Sequence, residues 1–394
     1  MKSIKKPIVI VGAGFGGMTV ASNLKRLNPS LPVLVVDSEE KFIFKPLMYE
    51  VLSEELPIWE AAPDFSNIFS NLGITFIKNC LTKINFDENI LEFKDDLKLG
   101  YEFLVLCTGS LANDFFVEGV NENCYFFQNL DDLNKLKFSL EKIQDINSKK
   151  KLFIIGAGPS GVEIACKVND IYKNKFDISI VERSNEILSK NKIFNREEAE
   201  KALKSRNINL LLNSTVKEIS DQKLIIFNDS VIKDLDQDVV IWTAGIKPNL
   251  SYIDEKVTQI DGRILVNEKF QINNFTNCFA IGDISIIKGM EDLPVTAQVA
   301  MQEGHHLAKN MELIFQEKDL IPFEFQDNGE MISLGIGEAS ISALGVTLSG
   351  KLAFEARRLI YASKMPVISK SLKSTASWLF QKKSILNKFI NKIP

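Results

Sequence analysis

With 394 residues, 45% hydrophobic and 25% charged, the chain has an ordinary globular composition that gives no sign of disorder, and its length suggests two or three domains. No apolar run reaches the roughly 18 residues that a bilayer-spanning helix needs. The net charge of −4 hides an asymmetry: residues 351–394 hold ten Lys or Arg and one acid, Glu355, a local +9 that leaves −13 on residues 1–350. An acidic body with a basic tail points to an anionic surface as partner and gives no sign of nucleic-acid binding.

The start, MKSIKKPIVIVGAGFGG, has a basic tip followed by apolar residues, as a secretory leader has, but glycines break the stretch at once. It reads as a buried strand over residues 7–11 entering a glycine turn, and the chain is expected to stay in the cytoplasm. A helix should run to about Arg26, and the strand VLVVD should end at Asp37. Short strands are expected at 74–77 and 81–93, and FLVLCTG (103–109) closes the first unit. The polar segment 129–150 predicts a helix and a hinge-like approach to the next unit. The pattern then repeats: KLFIIGAGPSG (151–161), ISIVE (178–182) and DVVIWTAG (238–245). Strands alternating with helices imply parallel sheets with crossover helices, so the fold is expected to be α/β with two Rossmann-like domains. NCFAIGDI (277–284) adds a strand, and a helix should run from Thr296, as N-cap, to about Phe315. The last 70 residues mix strand-like and helical signals.

The five cysteines, Cys80, Cys107, Cys124, Cys166 and Cys278, show no C-x-x-C pair and no zinc-like spacing, and read as small buried residues in a reducing compartment. His305 and His306 are neighbours on a helix and so face different ways, which argues against a metal site.

Each repeat carries a glycine motif in full context. Gly12, Gly14 and Gly17 follow the first strand, and Gly156, Gly158 and Gly161 follow its counterpart. The first glycine permits the tight turn, the second lets backbone approach a pyrophosphate, and the third lets helix and strand pack closely. Phosphates then meet unpaired amides at a helix N-terminus. An acid about twenty residues on should bind ribose hydroxyls, and Asp37 and Glu182 stand at that distance. Glu182 would repel the 2′-phosphate of NADPH, whereas Arg183 could grip it if Glu182 swings away, so the choice between NADH and NADPH stays open.

Two adjacent dinucleotide motifs resemble the two-dinucleotide-binding-domain flavoprotein family. The likeness covers nearly all of the chain and includes Thr108-Gly109 and the FAIGD segment. It implies FAD in a discontinuous domain of residues 1–115 and 265–325, and NAD(P)H in an inserted domain of residues 116–264. A C-terminal region, 326–394, would associate with a membrane. It also implies that Asp283 binds the ribityl chain of the flavin. Disulfide reductases of this layout use a cysteine pair near the flavin, but FIFKPLMYE (42–50) has none.

The segments FIFKPLMYEVLS, GPSGVE, WTAGIKPN and AQVAMQ (297–302) make the chain resemble type II NADH dehydrogenases, which pass a hydride from NAD(P)H through FAD to a quinone. The likeness places Pro46, Ala297 and Gly245 at the cofactors and Glu163 near the nicotinamide. Gln298 and Gln302, four apart on one helix face, would donate to the quinone carbonyls. The positive end of that helix would favour the charge of reduced flavin. A narrower likeness, carried by 45–69, 182–188, 194–203 and 323–342, is to the cyanobacterial and plastid branch of demethylphylloquinone reductases. That branch implies a thylakoid-facing site; a respiratory enzyme working on plastoquinone or menaquinone, on the plasma membrane, is the alternative.

Near the end, Leu379, Ile385, Leu386, Phe389, Ile390 and Ile393 fall on one side of a helical wheel that begins at Trp378. Lys388 and Lys392 lie opposite, and Lys382 interrupts the apolar side. A basic amphipathic helix of this kind should lie in the plane of a membrane interface. Packing on the acidic body, or a homodimer face, is the competing role. A ferredoxin-type reductase docking through the tail, and a non-catalytic flavoprotein, are the remaining readings.

Overall fold

The computed structural model describes residues 6–144, 148–228 and 231–366. The expected amphipathic helix beyond Trp378 lies outside the described residues. In chain order, the elements that frame the sites are β1 (Ile8–Val11), α1 (Phe15–Leu27), β2 (Val33–Asp37), α2 (Met48–Leu52), β3 (Thr75–Lys78) and β4 (Phe103–Leu106). The second set is β5 (Lys150–Ile155), α3 (Pro159–Tyr172), β6 (Phe176–Val181), β7 (Asn209–Leu211) and β8 (Val239–Trp242). Then come β9 (Cys278–Ala280), α4 (Ala297–Phe315), β10 (Glu330–Ser333), β11 (Ala339–Ala343), β12 (Val346–Ser349) and α5 (Gly350–Ser363).

The chain forms two compact units. Among the described residues, one comprises 6–42, 62–111 and 246–326; the other comprises those of 43–61, 112–245 and 327–366. The division falls at 245/246, where the sequence suggested 264/265, because residues 259–266 join a small sheet with 285–287, which belongs to the first unit. Residues 43–61 pack with the second unit, a long-range choice that local patterning does not encode.

The first unit is built on a parallel sheet of order β9-β4-β1-β2-β3. Its central strands are buried on both faces, which is why IVIV and FLVL read as continuous apolar runs. Helix α1 packs against α4. Gly304 makes this possible, because a Cβ there would lie 2.7 Å from the carbonyl oxygen of Gly16. Thr296 caps α4 as expected, its hydroxyl accepting from Val299 N–H at 3.3 Å.

The second unit repeats the plan with order β7-β6-β5-β8, again parallel, with β5 between the strand that follows it and the one that closes the sheet. The mixed signals of the C-terminal stretch resolve into an antiparallel meander, β10-β11-β12, and the helix α5. Ala353 and Phe354 of α5 are buried against this meander, in a cluster with Ala339 and Ile341.

Candidate active site

In the first unit, Gly12 turns the chain at φ +95°, a left-handed conformation closed to most side chains. A Cβ on Gly17 would sit 1.9 Å from the carbonyl oxygen of Gly12, whereas a Cβ on Gly14 would meet nothing within 4 Å. The second unit reproduces this arrangement. Gly161 is 1.9 Å by the same measure from the oxygen of Gly156, and Gly158 faces open space. Two of the three glycines are thus fixed by packing, and the third keeps a concavity at a helix N-terminus open for an anion.

The two acids also behave alike. Asp37 accepts from Ala13 N–H at 2.6 Å and from Glu39 N–H at 2.8 Å. Glu182 accepts from Ala157 N–H at 2.7 Å and from Ser184 N–H at 2.8 Å. Both oxygens of each carboxylate are anchored to backbone, one of them to the glycine loop itself. Oxygen lone pairs remain for ribose hydroxyls. Burial raises the Asp37 carboxyl above the ordinary range, against three backbone amides that lower it. Both cradles therefore fit a dinucleotide on the structure's own terms.

In the same unit, a cleft is lined by residues that include Gly282, Asp283, Thr296, Val299, Ala300 and Glu303. Asp283 accepts a hydrogen bond from the Ser110 hydroxyl at 2.6 Å, which fixes its carboxylate. The Thr108 hydroxyl donates to Asn249 O at 2.7 Å and meets the Tyr252 hydroxyl at 2.6 Å, so it braces the Gly109 turn. Gly109 itself has φ +67°. Ala297 and Gln298 open helix α4 beside this cleft. Gln302 makes a two-point link to one residue: its amide donates to Gln326 O at 2.8 Å, and its oxygen accepts from Gln326 N–H at 3.0 Å. That bond gives Gln302 a structural task that its sequence motif did not announce.

Sequence reasoning also missed Glu303. Its carboxylate accepts from Gly282 N–H at 2.6 Å and is only 3% exposed, and burial pushes its pKa up to about 7. The position one residue after Gln302 gave no hint of burial.

In the second unit Glu163 is buried rather than displayed at the helix entry. It accepts from Ser333 N–H at 2.8 Å and from the Arg357 guanidinium at 3.3 Å. Burial outweighs these partners and raises its pKa to about 7. Arg357, fully buried, also pairs with Glu50 and donates to Pro46 O at 2.8 Å. The Tyr49 hydroxyl bonds Ser160 at 2.9 Å and lies close enough to Glu163 for each to influence the other's titration. One cluster thus joins the segment 43–61, helix α3 and helix α5. Pro46 is part of this cluster through its carbonyl. Along α3 the pairing continues: Lys167, fully buried, meets Glu55, and Asp170 holds Arg206 at 2.7 Å.

Cys107 is buried beneath the first glycine turn, where burial pushes its thiol well up. Cys278 bonds the Tyr101 hydroxyl at 3.6 Å and is pushed up to about 11. It pairs with Leu104, three residues along from Cys107, so the two sulfurs occupy different levels of the sheet. Cys124 and Cys166 are each pushed up to about 12 by burial. Thiols held neutral in this way are poor nucleophiles. His305 contacts Asn23 and His306 contacts Ile321 O, in separate directions. Among the described residues no group of three or more His, Cys, Asp or Glu could hold a metal, and no helix is long and apolar enough to cross a membrane.

Residues 6–304 match the pyridine nucleotide-disulphide oxidoreductase family, and the chain belongs to that family. It is 31% identical to the demethylphylloquinone reductase of Synechocystis sp., covering 96% of this chain and 97% of that protein. It is 30% identical to the alternative NAD(P)H-ubiquinone oxidoreductase C1, chloroplastic/mitochondrial, of Arabidopsis thaliana, over 95% of this chain and 80% of that protein. The fold matches the NDH2 of Plasmodium falciparum, solved with NADH, at a TM-score of 0.85 and 18% identity, over 96% of this chain and 98% of that one.

Proposed function

We propose that this protein is an NAD(P)H:quinone oxidoreductase, with FAD bound by the first unit and the nicotinamide coenzyme by the second. The observation that carries the reading is the duplicated cradle: two equivalent glycine turns, each with an anchored ribose acid, in a chain whose buried thiols are held neutral. When bound there, FAD would supply the hydride-accepting and electron-passing chemistry between nicotinamide and quinone, which no side chain of the protein supplies. In the first unit Gly12, Gly14, Gly17 and Asp37 hold the adenosine and phosphates, and Asp283 with Thr108-Gly109 orients the ribityl side. In the second, Gly156, Gly158, Gly161 and Glu182 hold the coenzyme, and Gly245 lines its far end. Glu163, with a pKa near 7, is suited to hold or yield a proton at neutral pH. Gln298 and Gln302 present amides to the quinone, Ala297 lines the flavin side, and Gln302 also keeps the segment at Gln326 in place.

The relatives, named as a demethylphylloquinone reductase and an NAD(P)H-ubiquinone oxidoreductase, support a quinone substrate, demethylphylloquinone first among the candidates. A lipid-borne quinone calls for a membrane surface. The exposed Leu352 and Leu359 of α5, together with the basic tail, support a peripheral site on the cytoplasmic face of a thylakoid or plasma membrane. A homodimer is the rival use of the same apolar residues.

Anaerobic stopped-flow tests the proposal directly. NADH or NADPH should bleach the yellow protein, and a demethylated naphthoquinone should restore the colour. A protein purified without flavin that refuses FAD, or one bleached but not reoxidised by any quinone, defeats it. Replacing Gln302 by Leu should spare bleaching and slow reoxidation; equal slowing of both steps removes its assigned contact with quinone.

A further inference from the structure

We propose that the exposed pair Phe115-Phe116 forms an aromatic wall for the nicotinamide ring of the coenzyme in the second unit, an inference that rests on the dinucleotide reading of that unit. Both residues have left-handed backbone, φ +50° and +57°, where a bulky side chain crowds its own carbonyl. Phe116 is 98% exposed and Phe115 53%, so neither is there to fill a core. Strain together with an exposed aromatic needs a purpose outside packing.

The surrounding loop is firmly held. The Trp242 indole donates to Asn113 O at 2.8 Å, and the Asn113 side chain accepts from Phe115 N–H at 3.0 Å. Asn113 N–H reaches Gly245 O at 3.3 Å. The Phe115 ring rests on Gly245, where a Cβ would come within 2.7 Å of its Cζ. Glycine at 245 is therefore required by the aromatic ring as well as by its φ of +71°.

Sheet order supplies the ligand. Glu182, directly after β6, marks the adenosine ribose, and the glycine loop after β5 marks the phosphates. A dinucleotide laid across the carboxyl ends of the strands must continue towards β8, on the other side of β5. The end of β8 is Trp242, followed by the turn that Phe115 covers. A flat nicotinamide ring arriving there, cationic in its oxidised form, meets a π-face made ready for it, and water is kept from one side of the ring.

Phe116→Ala is the cleanest variant, since it removes an almost wholly exposed side chain and no packing. In the holoenzyme, binding of NAD+ and of ADP-ribose, which lacks the nicotinamide, should be compared by titration. NAD+ affinity should fall about five- to thirtyfold and ADP-ribose affinity should not change. The KM for NADH should rise with little change in kcat, the charge-transfer absorbance of the NAD+ complex with reduced enzyme should weaken, and Phe116→Tyr should restore all three. Equal loss of both ligands, or no loss of either, overturns the wall; so does a changed quinone KM with unchanged coenzyme binding. A wild-type protein that binds neither ligand removes the underlying dinucleotide reading as well.

Discussion

Glu182 shows how a specificity question left open by sequence becomes a mechanical one. The neighbouring Arg183 can serve a 2′-phosphate only if the carboxylate swings aside, yet both carboxylate oxygens are tied to backbone amides. Swinging would leave the Ala157 and Ser184 amides unpaired, a cost of about 1–3 kcal/mol for each that is buried. NADH is therefore the expected substrate of choice. Glu182→Ser should shift the ratio of kcat/KM towards NADPH by about tenfold or more, read from initial rates with both coenzymes. An unchanged ratio would mean that the acid does not select.

At the level of elements, α3 and α5 are joined by charges that a core would normally exclude. Removing one partner of such a cluster leaves the others buried and uncompensated, which costs about 3–5 kcal/mol. Arg357→Met should therefore lower the urea midpoint sharply, and a triple variant that also converts Glu50 and Glu163 to glutamine should recover much of the loss. The glycine turns, the acids at Asp37 and Glu182 and the Thr296 cap could be read from sequence because each is encoded within a few turns of chain. Arg357 and Glu50 could not, since 307 residues separate them and neither sits in a periodic pattern. Glu163 was visible as a residue but not as a buried one: the meander that covers it gives only short, mixed signals. Phe115-Phe116 could not be singled out from sequence, because backbone handedness leaves no trace in composition.

At the scale of the whole molecule, buried carboxyl groups with a pKa near 7 occur among the described residues of both units, Glu303 in the first and Glu163 in the second. A folded-state pKa above the unfolded value of 4.5 means that the native state holds the extra proton. The stability this contributes is complete below about pH 4.5 and is lost as pH rises to about 7. Glu303→Gln should flatten that decline by an amount on the order of a few kcal/mol, measured by urea unfolding at about pH 5 and about pH 8. A decline as steep as in the wild type would place the proton elsewhere.

The chain has three tryptophans, and Trp242, 3% exposed, is hydrogen-bonded into the loop that carries Phe115. Indole emission overlaps the absorption band of a dihydronicotinamide, so this residue is a built-in optical reporter for the second unit. Energy transfer should dim its fluorescence when reduced coenzyme is bound and release it when the oxidised form takes its place. Replacing Trp242 with phenylalanine should remove that part of the signal. Occupancy of the coenzyme cradle can then be followed without an attached dye.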